Sequence, residues 1–213
     1  METAEKPNHF FQDTTRIEAF SDGVFGFALT LLVLDIHVPD RMAGETLPQT
    51  LIQQWAGFLA YLVGFFTILI CWINHHYMFK FINRSSSKFV LFNGFKLLMV
   101  TTTPFVTALL AKHMQTDWGP SAIRIYALNF ALMGLAMTGV WCYARAMGFI
   151  DSKIPGLLEA NTRLYIFAAI LSALIWLVTY ISIPASLGLF VLMFLVFIFP
   201  EKMAVMIMKC GAS

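Results

Sequence analysis

Two aspartates in one apolar stretch are the first residues of this chain whose chemistry demands an explanation. Twelve uncharged residues, Gly23 to Leu34, separate Asp22 from Asp35. A carboxylate inside hydrocarbon costs roughly 2.5–3.5 kcal/mol on insertion scales, so such a group normally faces protein or water. Asp22 therefore needs a partner or a wet cavity, whereas Asp35 is close enough to the far end of the stretch to reach the interface. A second polar constellation, Trp72-Ile73-Asn74-His75-His76, closes the next apolar stretch. On a helix His75 and His76 stand at i+3 and i+4 from Trp72, so each imidazole can lie beside the indole. Adjacent histidines point about 100° apart, which disfavours shared chelation, and no metal site is expected. Two readings stand here. One is an interfacial Trp/His belt with solvated rings. The other is a hydrogen-bonded cluster of Ser21, Asp22, Trp72 and a histidine that satisfies the buried carboxylate. A third use of Asp22, His75 and His76, as a proton relay, is also chemically open.

The element that must position Asp22 is a helix with two unlike faces. At about 100° per residue, Phe20, Val24, Phe27, Leu31 and Leu34 fall within one sector about 80° wide. Thr30 flanks that bulky apolar ladder, while Asp22 points towards the opposite side. Gly23, Gly26 and Ala28 are small enough to let neighbouring backbones approach closely. From the pattern alone the ladder reads as packing or lipid contact as readily as anything more specific.

The rest of the chain explains where such a helix must sit. Apolar residues make up 59% and charged residues 12% of 213, too little polar surface to cover a soluble fold. Apolar stretches fall at about 18–38, 50–74, 89–111, 121–144, 164–182 and 185–208. Most reach the ~20 residues that cross a bilayer as helix. The last is interrupted by Pro200-Glu201-Lys202, which puts its final turns near the interface. Backbone groups in lipid must be satisfied internally, so these are helices, and the fold class is an all-α membrane protein with six crossings. The expected organisation is a polar N-terminus over 1–15, one six-helix unit over 16–208 and a short tail over 209–213. Pro104 with Thr101, Thr102 and Thr103 suggests a bend in the third crossing, the hydroxyls bonding freed carbonyls. Asn93 and Asn129 read as interhelical glue. Lys96, inside the same crossing, is expected to snorkel outwards.

Ten lysines and arginines fall on one side of this arrangement and three (Arg41, Lys112 and Arg124) on the other. That asymmetry puts both termini in the cytoplasm. A net charge of +2 without basic runs argues against nucleic-acid binding. Cys71, Cys142 and Cys210 form no CxxC pair and read as small packing residues. No Walker loop, HExxH, nucleophile elbow or TVGYG filter occurs, so an enzyme is not expected.

Arg16, Phe20-Ser21-Asp22 and the following GVFGFALTLLVLDIHVP resemble the signature of the transmembrane protein 175 family of potassium channels. Trp72, His75, His76 and the six-crossing layout are similar too, and a single six-helix unit looks like the prokaryotic form. The resemblance implies a potassium-permeable channel without a P-loop filter, sitting in the cell membrane of a prokaryote. It implies a homotetramer around a pore lined by the first helix, with K⁺ as permeant ion and no cofactor. The pore constriction would fall on Phe27, Leu31 and Leu34, with Thr30 as a candidate for biasing K⁺ over Na⁺. Family members commonly carry Ile or Leu where this chain has Phe27. The family's polar cluster would fall on Arg16, Phe20, Ser21, Asp22, Trp72, His75 and His76.

Overall fold

The computed structural model describes residues 14–36, 46–151 and 155–210, and these are almost entirely helical. The chain runs through α1 (Thr15–Leu31), a 3-10 turn (Leu32–Asp35), α2 (Leu47–Gln53), α3 (Trp55–Phe79) and α4 (Ser87–His113). It continues through α5 (Gly119–Ala146), α6 (Pro155–Val178), α7 (Ile183–Phe197) and α8 (Pro200–Cys210). Among the described residues five helices are long and apolar enough to cross a membrane, namely α1, α3, α4, α5 and α6. Helices α7 and α8 pass the same test only together and meet at 85°, which makes five crossings, or six where the bent pair counts as one span. Pro200 cannot donate to the preceding turn, so the break falls where the sequence interrupts its apolar run. The expected N-terminal segment and the loop holding Arg41 lie outside the described residues, apart from their edges at Thr14, Thr15 and Ile36. So do residues 211–213 of the expected tail.

Several boundaries differ from the sequence reading for local reasons. The second crossing is preceded by α2, opened by a capping box in which Thr46 and Gln49 exchange hydrogen bonds. Helix α3 then runs past Asn74 to Phe79, so His75 and His76 are helical. Helix α6 begins well before its apolar run, with Pro155 in the first position that prolines favour, and Glu159 in its second turn pairs with Arg145 at 3.0 Å and Arg163 at 3.4 Å. Helices α4 and α7 are each capped by a serine hydroxyl: Ser86 accepts from Phe89 N–H, and Ser182 from Ala185 N–H. Pro104 sits inside a continuous α4. The hydroxyls of Thr101, Thr102 and Thr103 bond the carbonyls of Leu98, Met99 and Met99. The proline's missing donor would have reached Val100, so these bonds brace the turn before the gap rather than fill it.

Interhelical polar contacts pin the bundle at depth. Asn129 of α5 donates to Thr103 at 3.1 Å and accepts from Thr102 at 2.7 Å, joining α5 to α4 as expected of an interhelical amide. Trp141 is fully buried and donates its indole N–H to Thr162 of α6. At one end the α3–α4 and α5–α6 connections pair through Ile82 and Ile150, and Thr14 bonds the Ile82 carbonyl. Lys80 reaches Glu201 of α8 at the same end, which gathers Lys80, Arg84, Lys88, Arg145 and Lys202. Cys71 is buried but Cys142 is exposed on the bundle surface, so only the first packs internally.

Gly64 of α3 marks the closest approach of the first three crossings. A Cβ there would lie 2.7 Å from Thr107 Oγ1 and 3.1 Å from Leu32 Cδ2, whereas one at Gly57 of the same helix would touch nothing within 4 Å. Overpacking typically costs ~1–3 kcal/mol. Gly64→Ala is therefore expected to lower the thermal unfolding midpoint in detergent, followed by tryptophan fluorescence. Gly57→Ala, with helix propensity in its favour, should leave that midpoint unchanged or raise it.

Candidate functional site

The first helix presents one face to the bundle and leaves another uncovered. Ser21, Phe25, Ala28 and Leu32 recur at helical spacing and are all buried against α3 and α4. Apolar packing alone would leave this helix free to rotate by small steps. Polar contacts on two adjacent lines fix it.

The first line runs from α1 to α3. The Trp72 indole N–H donates to Asp22 Oδ1 at 2.8 Å, giving the carboxylate a directional partner. His76 stacks on Trp72 with ring centroids 5.7 Å apart and 20° between planes. Its Nδ1 stands 3.3 Å from Glu18 Oε1, one turn before Asp22. The second line is deeper and joins α1, α4 and α3. Asn93 Nδ2 donates to Ser21 Oγ at 3.0 Å, and Ser21 itself donates to the Ile17 carbonyl. Lys96 Nζ donates to Asn93 Oδ1 at 2.8 Å and stands 2.6 Å from His75 Nδ1. Phe25 stacks on His75 at 5.3 Å and Phe79 meets it edge-on at 4.4 Å, closing the pocket with aromatic rings. The Lys96 amino nitrogen lies within 6 Å of both phenyl rings, 5.7 Å from Phe25 and 5.6 Å from Phe79.

The sequence candidates thus divide. Asp22, Trp72 and His76 come together on one line, and Ser21 and His75 belong to the other. His75 does not lie beside the indole: adjacent histidines diverge on a helix, and its ring turns to Phe25 and Lys96 instead. Lys96 does not snorkel. Its side chain is fully buried, because Asn93 one turn earlier and His75 across the interface satisfy the amine in place. Lys96 and Glu18 were not in the expected set. A charged residue at i+3 from an asparagine inside an apolar stretch is the signal that could have found the Asn93–Lys96 pair.

Arg16 and Phe20 fall outside both lines. Both are exposed, and Arg16 makes no ion pair or hydrogen bond among the described residues. They share the uncovered side with Gly23, Gly26, Phe27, Thr30 and Leu34, all exposed, while Leu31 is half-buried. A Cβ at Gly23 or Gly26 would meet no atom within 4 Å, so within one subunit these glycines serve no close helix approach; only Ala28 is packed. Thr30 donates its hydroxyl to the Phe27 carbonyl at 2.8 Å, which leaves its oxygen lone pairs available on the uncovered side.

Removing a member of either line should loosen the helix. Trp72→Phe takes away the donor to Asp22, worth about 0.6–1.7 kcal/mol for an interhelical bond in a membrane. Asn93→Leu leaves both Ser21 and Lys96 short of a partner, a loss of about 1–3 kcal/mol. Both variants are expected to unfold at lower temperature in detergent than the parent, with Asn93→Leu the more affected. Arg16→Gln should unfold at the same temperature as the parent.

A family model described as endosomal/lysosomal potassium channel TMEM175 matches residues 16–104, which contain the whole of this clamp. A potassium channel of Chamaesiphon minutus is 36% identical over 180 residues, covering 83% of this chain and 89% of that protein. The crystal structure of a lysosomal potassium-selective channel TMEM175 homolog from Chamaesiphon minutus superposes with a TM-score of 0.77 at 35% identity. It covers 90% of this chain and 97% of that one. The endosomal/lysosomal proton channel TMEM175 of Gallus gallus is 35% identical over 138 residues, 61% of this chain but 28% of that longer protein. With its membrane-crossing bundle and clamped first helix, the chain belongs to the TMEM175 family, a family of ion channels and not of enzymes.

Proposed function

We propose that this chain forms a potassium-permeable channel in which four identical subunits set their first helices around a shared axis. The observation that carries the reading is the asymmetry of α1. Phe27 is 62% and Leu34 72% exposed, while Ser21, Phe25 and Ala28 on the other side are locked to α3 and α4. One chain holds a single copy of this face and cannot close a ring alone, whereas symmetric copies place Phe27, Leu31 and Leu34 in successive layers. Such apolar layers offer a cation no oxygen, so a narrow arrangement resists ion passage by dewetting and a wider one admits a hydrated ion. Thr30, with its oxygen turned to the same side, is the group that favours K⁺ over Na⁺. Asp22 and its partners clamp the helix and do not line the path. The lysine- and arginine-rich end faces the cytoplasm with both termini, residues 16–208 forming one unit between the 1–15 and 209–213 segments. The host membrane is the cell membrane of a prokaryote.

Purified protein in potassium-loaded liposomes is expected to pass K⁺ down its gradient. Leu31→Ala and Leu34→Ala widen the narrow layers and should each raise that flux several-fold. Thr30→Val should lower the K⁺/Na⁺ permeability ratio. Unchanged flux and selectivity in both leucine variants would overturn the constriction assignment. A second reading, proton conduction through Asp22, His75 and His76, is favoured by the name of the vertebrate relatives. It predicts acidification of liposomes under a K⁺ diffusion potential that Asp22→Asn abolishes, with K⁺ flux itself absent.

A further inference from the structure

The first turn of α1 breaks a local rule. Arg16 is the second residue of the helix, where the partial positive charge of the N-terminus favours an anion and disfavours a cation. No contact offsets this: the side chain is exposed and makes no ion pair or hydrogen bond among the described residues. The two acids of α1 are occupied elsewhere, Glu18 beside His76 at 3.3 Å and Asp22 with the Trp72 indole at 2.8 Å. A residue that departs from local preference without a compensating contact marks a functional position.

The direction of Arg16 supplies the function. At about 100° per residue it lies about 20° from Phe27 and about 40° from Phe20 around the helix, whereas Glu18 and Asp22 lie about 180° and 140° from Phe27. The uncovered face of α1 therefore opens with a cation and continues with Phe20, Phe27 and Leu34. Arg16 stands about 16 Å before Phe27 along the axis. The helix start is not free to swing, because Thr14 donates its hydroxyl to the Ile82 carbonyl of the α3–α4 connection at 3.1 Å. The packing that aims Phe27 thus aims Arg16 as well.

We infer that Arg16 sets the conductance of the channel: in the four-subunit assembly proposed above, on which this rests, four Arg16 side chains surround the cytoplasmic mouth and repel the cation entering it. The repulsion acts through solvent, so salt governs it. The Debye length is ~30 Å at 0.01 M and ~3 Å at 1 M. The four charges hold K⁺ passage down in dilute salt and are screened out in concentrated salt. They touch none of the apolar layers, so their effect is separable from that of Phe27, Leu31 and Leu34.

The test is the unitary conductance of the purified full-length protein in phosphatidylcholine bilayers, in symmetrical KCl from ~0.01 M to ~1 M. Arg16→Gln is expected to conduct roughly fivefold better than the parent in the dilute solution, the effect of four unit charges about 10 Å from an ion in water. In the concentrated solution the two should be equal. Arg16→Lys, which keeps the charge, should follow the parent throughout. So should Lys209→Gln, which removes a cation from α8, a helix packed mainly on α6. The parent alone should show conductance climbing more steeply than in proportion to KCl, a readout that needs no variant. Equal conductance of parent and Arg16→Gln in dilute KCl sinks the inference, as does a gap that survives at ~1 M. A rise in Arg16→Lys or Lys209→Gln matching that of Arg16→Gln sinks it too. A parent that passes no K⁺ at any concentration defeats the channel reading and this inference with it, whereas a conducting parent indistinguishable from Arg16→Gln defeats this inference alone.

Discussion

The absence of water in the hydrocarbon layer is the constraint from which this bundle's organisation follows. Each polar side chain on an apolar helix has to find its partner inside the protein, and a hydrogen bond there fixes rotation as well as contact. Asp22, Ser21, Lys96 and His75 would each be costly alone. Distributed over α1, α3 and α4 they become mutual ligands: Asp22 with Trp72, Ser21 with Asn93, Lys96 with Asn93 and His75. These bonds hold α1 in one rotational setting. Apolar packing of Phe25, Ala28 and Leu32 then fills the space that the setting defines.

Much of this was legible in the residues because charge in an apolar stretch is a strong signal. Asp22 demanded a partner, and the only well-placed donor constellation at the same depth was Trp72 with its histidines. The split of that constellation was not legible. Which histidine stacks on the indole depends on how α3 is rolled against α1, and roll is decided by Phe25, Phe79 and Lys96 on three different helices. Lys96 was misread for a related reason. A lysine one or two turns from a helix end snorkels when lipid surrounds it, but Asn93 and His75 offer it a partner where it stands, which makes the inward rotamer the better one.

Helix boundaries show the same division between local and tertiary control. The break at Pro200 and the serine cap at Ser182 are local effects, carried by residues at the break itself. The start of α6 at Pro155 is local too, a proline suiting the first position of a helix. The tertiary part is that Glu159, paired with Arg163 in its own helix, also reaches Arg145 of α5. Gly23 and Gly26 mislead in the opposite direction. Their spacing suggests close backbone packing, but inside the subunit their surfaces are open, so whatever that smallness serves lies outside the single chain.

The change of helix type at the end of α1 bears on how the ladder is arranged. Had the α-helix continued, Leu34 would stand about 60° short of Leu31 when viewed down the axis. The 3-10 turn over Leu32–Asp35 advances about three residues per turn, which turns Leu34 back towards the line of Leu31. The tighter turn also rises about 2.0 Å per residue rather than 1.5 Å, spacing the two leucines further along the axis. Leu32 begins this turn and is itself buried, 3.1 Å from where a Gly64 Cβ would stand. The residue at which the winding changes is thus the one that packs on α3 at Gly64, while Leu34, two residues on, stays on the uncovered side.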